Sequence, residues 1–95
     1  MLNSKQISYL KSLSHPLNPV VFIGNKGLTS AVLNEIEISL KAHELIKIKV
    51  QTDIKEKRLS IVNLICQKVD AENITLIGKQ IIIFKANKIP KIILP

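Results

Sequence analysis

The sequence predicts one α/β domain of order αβαβαββ, a mixed four-stranded sheet packed with helices. Apolar spacing alternates between helical and strand-like periods along the chain. Glycine, proline and capping residues fall between those segments. At 95 residues, 46% of them apolar, the chain matches the usual size of one domain, and no Gly, Ser or Pro-rich stretch divides it. Residues 1–95 are therefore expected to form a single unit.

Asn3 followed by Gln6 has capping-box spacing, and Leu2 with Ile7 has that of a hydrophobic staple, so a first helix begins near Ser4. Ile7, Leu10 and Leu13 form its apolar stripe, and Pro16 ends it by disfavouring helical geometry at His15. Val20 to Ile23 is a continuous apolar, β-branched run, the pattern of a strand buried on both faces, with Phe22 in the core. Thr29 is a good N-cap for a second helix, with Leu28 and Leu33 at staple spacing. Val32, Leu33, Ile36 and Leu40 give that helix its stripe, and its end is expected near Ala42.

Leu45 to Val50 alternates with period two, which puts Ile46, Ile48 and Val50 on one face and Lys47 and Lys49 on the other. Asp53 with Glu56 has capping-box spacing for a third helix, whose stripe would be Leu59, Val62, Ile65, Cys66 and Val69. Ile74–Ile77 and Gln80–Phe84 flank Gly78-Lys79, where glycine first favours a type II′ hairpin turn. The crossovers should be right-handed; whether the helices share a face is open. The tail from Ala86 to Pro95 lacks periodicity, which fits either partial order or a short edge strand.

Charge narrows the function. Fourteen basic against seven acidic residues give a net charge of +7, which favours a polyanionic partner such as nucleic acid. No apolar run approaches the roughly 20 residues that span a bilayer, and the first residues lack a signal peptide's apolar core, so a cytoplasmic location is expected. Cys66, the only cysteine, cannot form an internal disulfide, and with His15 and His43 it makes no metal-ligand spacing. Neither histidine sits in a nucleophile pattern, and Glu35 and Glu37 diverge on a helix. No catalysis, cofactor, metal or small-molecule substrate is expected.

The most informative motif is Gly24-Asn25-Lys26-Gly27, between a strand and a helix start. Glycines allow close backbone approach, the helix start offers unpaired N–H groups, and Lys26 adds a charge, a combination that can hold a phosphate. The competing explanation is a tight turn that needs glycine. Lys5 and Lys11 on the first helix, Lys47 and Lys49 on a strand, Lys79 at the hairpin and Lys85, Lys88 and Lys91 near the end would track successive phosphates if they converged. With Tyr9, Phe22 and Phe84 as the only aromatic rings, broad base stacking is not expected, although Tyr9 offers one platform.

Taken together, Lys5-Gln6, Leu10-Lys11, Ser14-His15-Pro16-Leu17, Val21 to Thr29, His43 to Lys49, Ile77-Gly78 and Ile92-Ile93-Leu94-Pro95 resemble the CRM-domain family of RNA binders, in its stand-alone, YhbY-type bacterial form. The resemblance implies a fold akin to the C-terminal domain of translation initiation factor three. It also implies RNA binding and association with precursors of the large ribosomal subunit. It assigns RNA contact to Gly24, Asn25, Lys26 and Gly27, and further to Lys5, Lys11, Lys47 and Lys49. Ser14 stands where the family has alanine, and Phe84-Lys85 where a Tyr-Arg pair is common. The second change removes a hydroxyl and a planar fork.

These readings converge on a monomeric RNA-binding protein that assists assembly of the large subunit through its glycine loop and lysine surface, leaving recognition to RNA shape. Two alternatives stand beside it. One is an adaptor for an acidic protein; the other is a phosphate- or nucleotide-binding enzyme, although the loop is too short for a Walker pattern.

Overall fold

Asn3 and Gln6 cap the first helix reciprocally. The Asn3 side chain accepts the Gln6 backbone N–H at 2.9 Å, and the Gln6 side chain accepts that of Asn3 at 3.0 Å. Helix α1 then runs over Ser4–Ser14. In the computed structural model, which describes residues 2–95, it is followed by β1 (Val21–Ile23), α2 (Ser30–His43), β2 (Leu45–Val50), α3 (Lys55–Val69), β3 (Glu72–Ile77) and β4 (Gln80–Phe84). Met1, the first residue of the expected domain, lies outside the described residues. The order is the αβαβαββ of the sequence pattern.

The sheet has the order β1-β2-β4-β3. β1 pairs with β2 in parallel, and β2 with β4 and β4 with β3 antiparallel. Gly78 takes a φ of +57° at the first central position of the β3–β4 turn, where a side chain would be strained.

Period-two alternation sends each strand's residues to opposite faces. Ile46, Ile48 and Val50 join Val21, Ile23, Ile81 and Ile83 against Ile36 and Leu40 of α2 and Val62, Ile65 and Val69 of α3. The other face carries Leu45, Ile74, Ile82 and Phe84 against Leu10 of α1. The helices thus divide between the faces, α2 and α3 on one and α1 on the other. The tail completes this second layer: Ile92 and Leu94 pack beside Leu2, Ile7 and Leu13.

Several local expectations are corrected. β1 is an edge strand rather than one buried on both faces; its α1 side is uncovered, leaving Val20 42% and Phe22 58% exposed. Phe22 is therefore not a core residue. Helix α3 has no Asp53–Glu56 capping box: its N-cap is Ile54, which makes no side-chain cap bond. The hairpin competes for Asp53, whose carboxylate pairs with the Lys79 ammonium at 2.6 Å. Leu59 is exposed, because the buried stripe of α3 begins one turn later at Val62.

The tail forms no strand, yet it is tied down by one residue. Helix α2 ends at His43 and Glu44 turns the chain with a φ of +63°, an unfavourable region for a side-chain-bearing residue. Glu44 is fully buried. Its carboxylate accepts backbone N–H groups from Asn87 at 2.7 Å and from Lys91 and Ile92 at 2.8 Å. The tail answers by capping α2: the Asn87 side-chain amide donates to Lys41 O at 3.0 Å and the Lys91 ammonium to Ala42 O at 2.7 Å.

Candidate nucleic-acid interface

The glycine loop sits where β1 hands over to α2. Gly27 donates its backbone N–H to Gly24 O at 3.0 Å, closing a tight turn, and adopts a φ of +71°. Gly24 differs, since a Cβ there would meet only Gln51 Oε1 at 3.7 Å. Its lack of a side chain is not needed by the turn. Asn25 and Lys26 stand in solvent at the tip.

Helix α2 starts immediately beyond. Thr29 accepts the Val32 N–H at 3.2 Å, and no acidic residue occupies the first turn. The positive end of the helix dipole is thus left without a carboxylate and lies just after Lys26 in the chain, which is favourable to an anion.

Edge strand β1 extends the site away from the loop. Phe22 pairs in register with Lys49, and both project toward the α1 side because their neighbours Val21, Ile23, Ile48 and Val50 face α2 and α3. An exposed aromatic ring and an exposed ammonium therefore stand side by side on an uncovered part of the sheet. Lys47 points the same way one step back along β2. It lies deeper than Lys49, with only 9% of it exposed, because the end of α1, the connection to β1 and the tail close around it. It lines a groove with Leu13, Leu17, Val20 and Ile92.

Lys5 and Lys11 are exposed on α1, but six residues separate them, about 9 Å along the axis and about 120° around it. They do not form one stripe. Other basic groups are engaged elsewhere: Lys79 pairs with Asp53, and the Lys85 ammonium caps α3 by donating to Val69 O at 2.8 Å. The structure thus gathers Gly24 to Gly27 and Lys49 along one edge with Lys47 sunk behind them, and leaves Lys5 and Lys11 on a separate element. Phe22 is the residue sequence reasoning missed. The brevity of its apolar run between Pro19 and Gly24 was the available signal for an edge strand.

Beyond this edge, Asp53 and Cys66 are shifted by their surroundings. Hydrogen bonding and charge from Lys79 lower the Asp53 carboxyl below its ordinary 3.8. Burial, then the Glu72 charge, raises the Cys66 thiol above 9.0, away from the thiolate that nucleophilic chemistry requires. Ser14 is buried, and its hydroxyl donates to Lys11 O at 2.7 Å. Among the described residues no three His, Cys, Asp or Glu side chains gather as metal ligands, and no helix is long and apolar enough to cross a membrane.

A mixed sheet with helices on both faces, edged by a glycine turn and exposed basic and aromatic side chains, defines a small mixed α/β domain. The chain belongs to the CRS1 / YhbY (CRM) domain family, which it matches over residues 2–85. A Haemophilus influenzae protein named as RNA-binding is 43% identical over 94 residues, covering 99% of this chain and 95% of that one. A Pseudomonas aeruginosa protein named as a candidate RNA-binding protein is 33% identical over 89 residues, covering 94% and 86%. The solution structure of a hypothetical Staphylococcus aureus protein, titled as a candidate RNA binder, superimposes with a TM-score of 0.86 over 100% of both chains at 29% identity.

Proposed function

We propose that this chain binds RNA, using the exposed Gly24-Asn25-Lys26-Gly27 turn to hold the phosphate backbone at the N-terminus of α2. The carrying observation is that Gly24 needs no positive φ and has no side chain to fit around, so its bareness serves close approach from outside. Lys26 and Lys49 supply charge beside it, and Phe22 a face on which one unpaired base can stack. Lys5 and Lys11 extend the basic surface onto α1. The names of the relatives support RNA as the partner.

The RNA is ribosomal in this proposal, and the protein, acting as a cytoplasmic monomer, assists assembly of the large subunit. It holds a folded segment of precursor RNA while other components join, so binding energy is its tool and no reaction is catalysed. Family membership and the net charge of +7 support that role.

The test is binding to ribosomal RNA across a salt series. Lys26→Ala is expected to lower affinity and reduce the salt slope by about one. Gly27→Asp, which places a carboxylate in the anion path, is expected to lower affinity further. Parent-like binding by both folded variants would reject the loop. Absence of the protein from precursor large subunits in gradient fractions would reject the ribosomal role while leaving RNA binding intact.

A further inference from the structure

The groove around Lys47 has a volume of about 430 Å³. Its walls are mainly aliphatic, with Leu13, Leu17, Val20 and Ile92 among them, and Asn18 and His43 also stand in the lining. Only 9% of Lys47 is exposed; its ammonium is the part that still reaches solvent, among the described residues it makes no hydrogen bond or ion pair with the protein, and no acidic side chain lines the groove. The aliphatic stem is covered while the charged end stays open to the groove. An acceptor entering the groove meets a positioned ammonium that no protein group engages.

An ammonium donates three hydrogen bonds and accepts none. The occupant must therefore present acceptor atoms to Lys47 and tolerate aliphatic walls elsewhere. A phosphate fits poorly, since it would exchange water for leucine and isoleucine on most sides. A nucleobase fits both demands: its faces pack on apolar groups, and guanine or uracil offers carbonyl oxygens at the edge. Placement favours RNA over a peptide carboxylate. From Val20 at the groove to Gly24 at the turn is four extended residues, about 13 Å, with Phe22 and Lys49 between them. A strand leaving the glycine turn along β1 arrives at the groove.

Resting on the RNA-binding reading above, we infer that the Lys47 groove is a pocket for one unpaired nucleobase with an acceptor edge, guanine or uracil, held by the Lys47 ammonium between aliphatic walls. It gives a protein that otherwise follows backbone and shape one position at which a base is read.

The experiment uses the full chain and a short single-stranded RNA in which one abasic nucleotide is walked from end to end, with affinity read by fluorescence anisotropy. A base held in the groove makes one position costly, by about tenfold. Lys47→Met, which keeps the stem and removes the charge, is expected to abolish that position dependence, as is Leu17→Trp, which fills the groove from its rim. Loss of affinity that is uniform across positions in Lys47→Met, with a lowered salt slope, would make Lys47 a phosphate contact and overturn the pocket. Parent-like profiles in both variants would make the groove a packing gap and overturn the pocket equally.

Methyl resonances of Leu17 and Ile92 in the parent protein give an answer that needs no variant. They are expected to shift on adding the RNA; unchanged resonances would overturn the pocket even if Lys47→Met loosened the fold. Equal shifts produced by an acidic peptide that displaces the RNA would assign the groove to a protein partner instead. Lys26→Ala separates the two proposals: weakened binding with the position dependence retained upholds both, whereas a parent that binds no RNA at all removes both.

Discussion

The Glu44 carboxylate accepts the backbone N–H of Ile92 at 2.8 Å, joining the end of α2 to a residue 48 positions later. The same carboxylate also holds Asn87 and Lys91, which brings Ile92 and Leu94 onto the α1 layer. Replacing it leaves those N–H groups without a charged acceptor. Glu44→Ala is expected to cost about 2–4 kcal/mol of unfolding free energy, and Glu44→Gln less, since its amide oxygen still accepts. Urea unfolding measures the loss, and hydrogen exchange at Asn87, Lys91 and Ile92 should accelerate before the sheet amides do.

Acid should release the same tie. Burial acts to raise the Glu44 pKa, but the N–H groups of Asn87, Ile92 and Lys91, with the Lys91 charge, outweigh it and hold the carboxyl below its ordinary 4.5. The unfolded chain therefore binds the proton more readily than the native one. The contribution is complete above 4.5 and is lost as pH falls through the lower native value. A series of melting temperatures at decreasing pH should show a steeper acid decline for the parent than for Glu44→Gln. Parallel declines would remove Glu44 as the source. Asp53, lowered by Lys79 but exposed, serves as a control whose Asn variant should follow the parent closely.

The glycines that open and close the loop should separate turn geometry from ligand approach. Gly27 has a φ of +71°, so Gly27→Ala places a side chain in the left-handed region at a cost of about 1–2 kcal/mol. Gly24→Ala meets only an ordinary contact with Gln51 and should leave the melting temperature near that of the parent. On the proposed function, its added methyl stands in the path of the phosphate and reduces RNA affinity. Parent-like binding by Gly24→Ala would show that nothing approaches the backbone at this position.

Element order was legible because the first two helices announce their starts locally, through Asn3 with Gln6 and through Thr29. Period also placed Ile46, Ile48 and Val50 together on one face. Strand order was less legible, since β4 inserts between β2 and β3. Phe22 was assigned to the core because a continuous apolar run does not show that one face of its strand is left uncovered. The burial of Lys47 and Glu44 was hidden for a related one: both are covered by the tail, whose lack of periodicity concealed its role. Asp53 was a matter of competition, because the capping pattern held in sequence while Lys79 claimed the carboxylate in space.

Phe22 provides the sharpest distinction between stacking and charge. Its ring is 58% exposed and faces away from the cluster built around Val21 and Ile23, so Phe22→Ala should change stability by no more than about 1 kcal/mol. If one unpaired base rests on the ring, the variant loses about 1–3 kcal/mol of binding free energy to single-stranded RNA. The loss carries no counterions, so the salt slope should match that of the parent. Lys49→Ala, its partner across the strand pair, should do the opposite, weakening binding modestly and lowering the slope by about one. Measuring both variants over one salt series tests the assignment internally. A lowered slope in Phe22→Ala, or full affinity with the ring removed, would mean that this edge attracts RNA by its lysines alone.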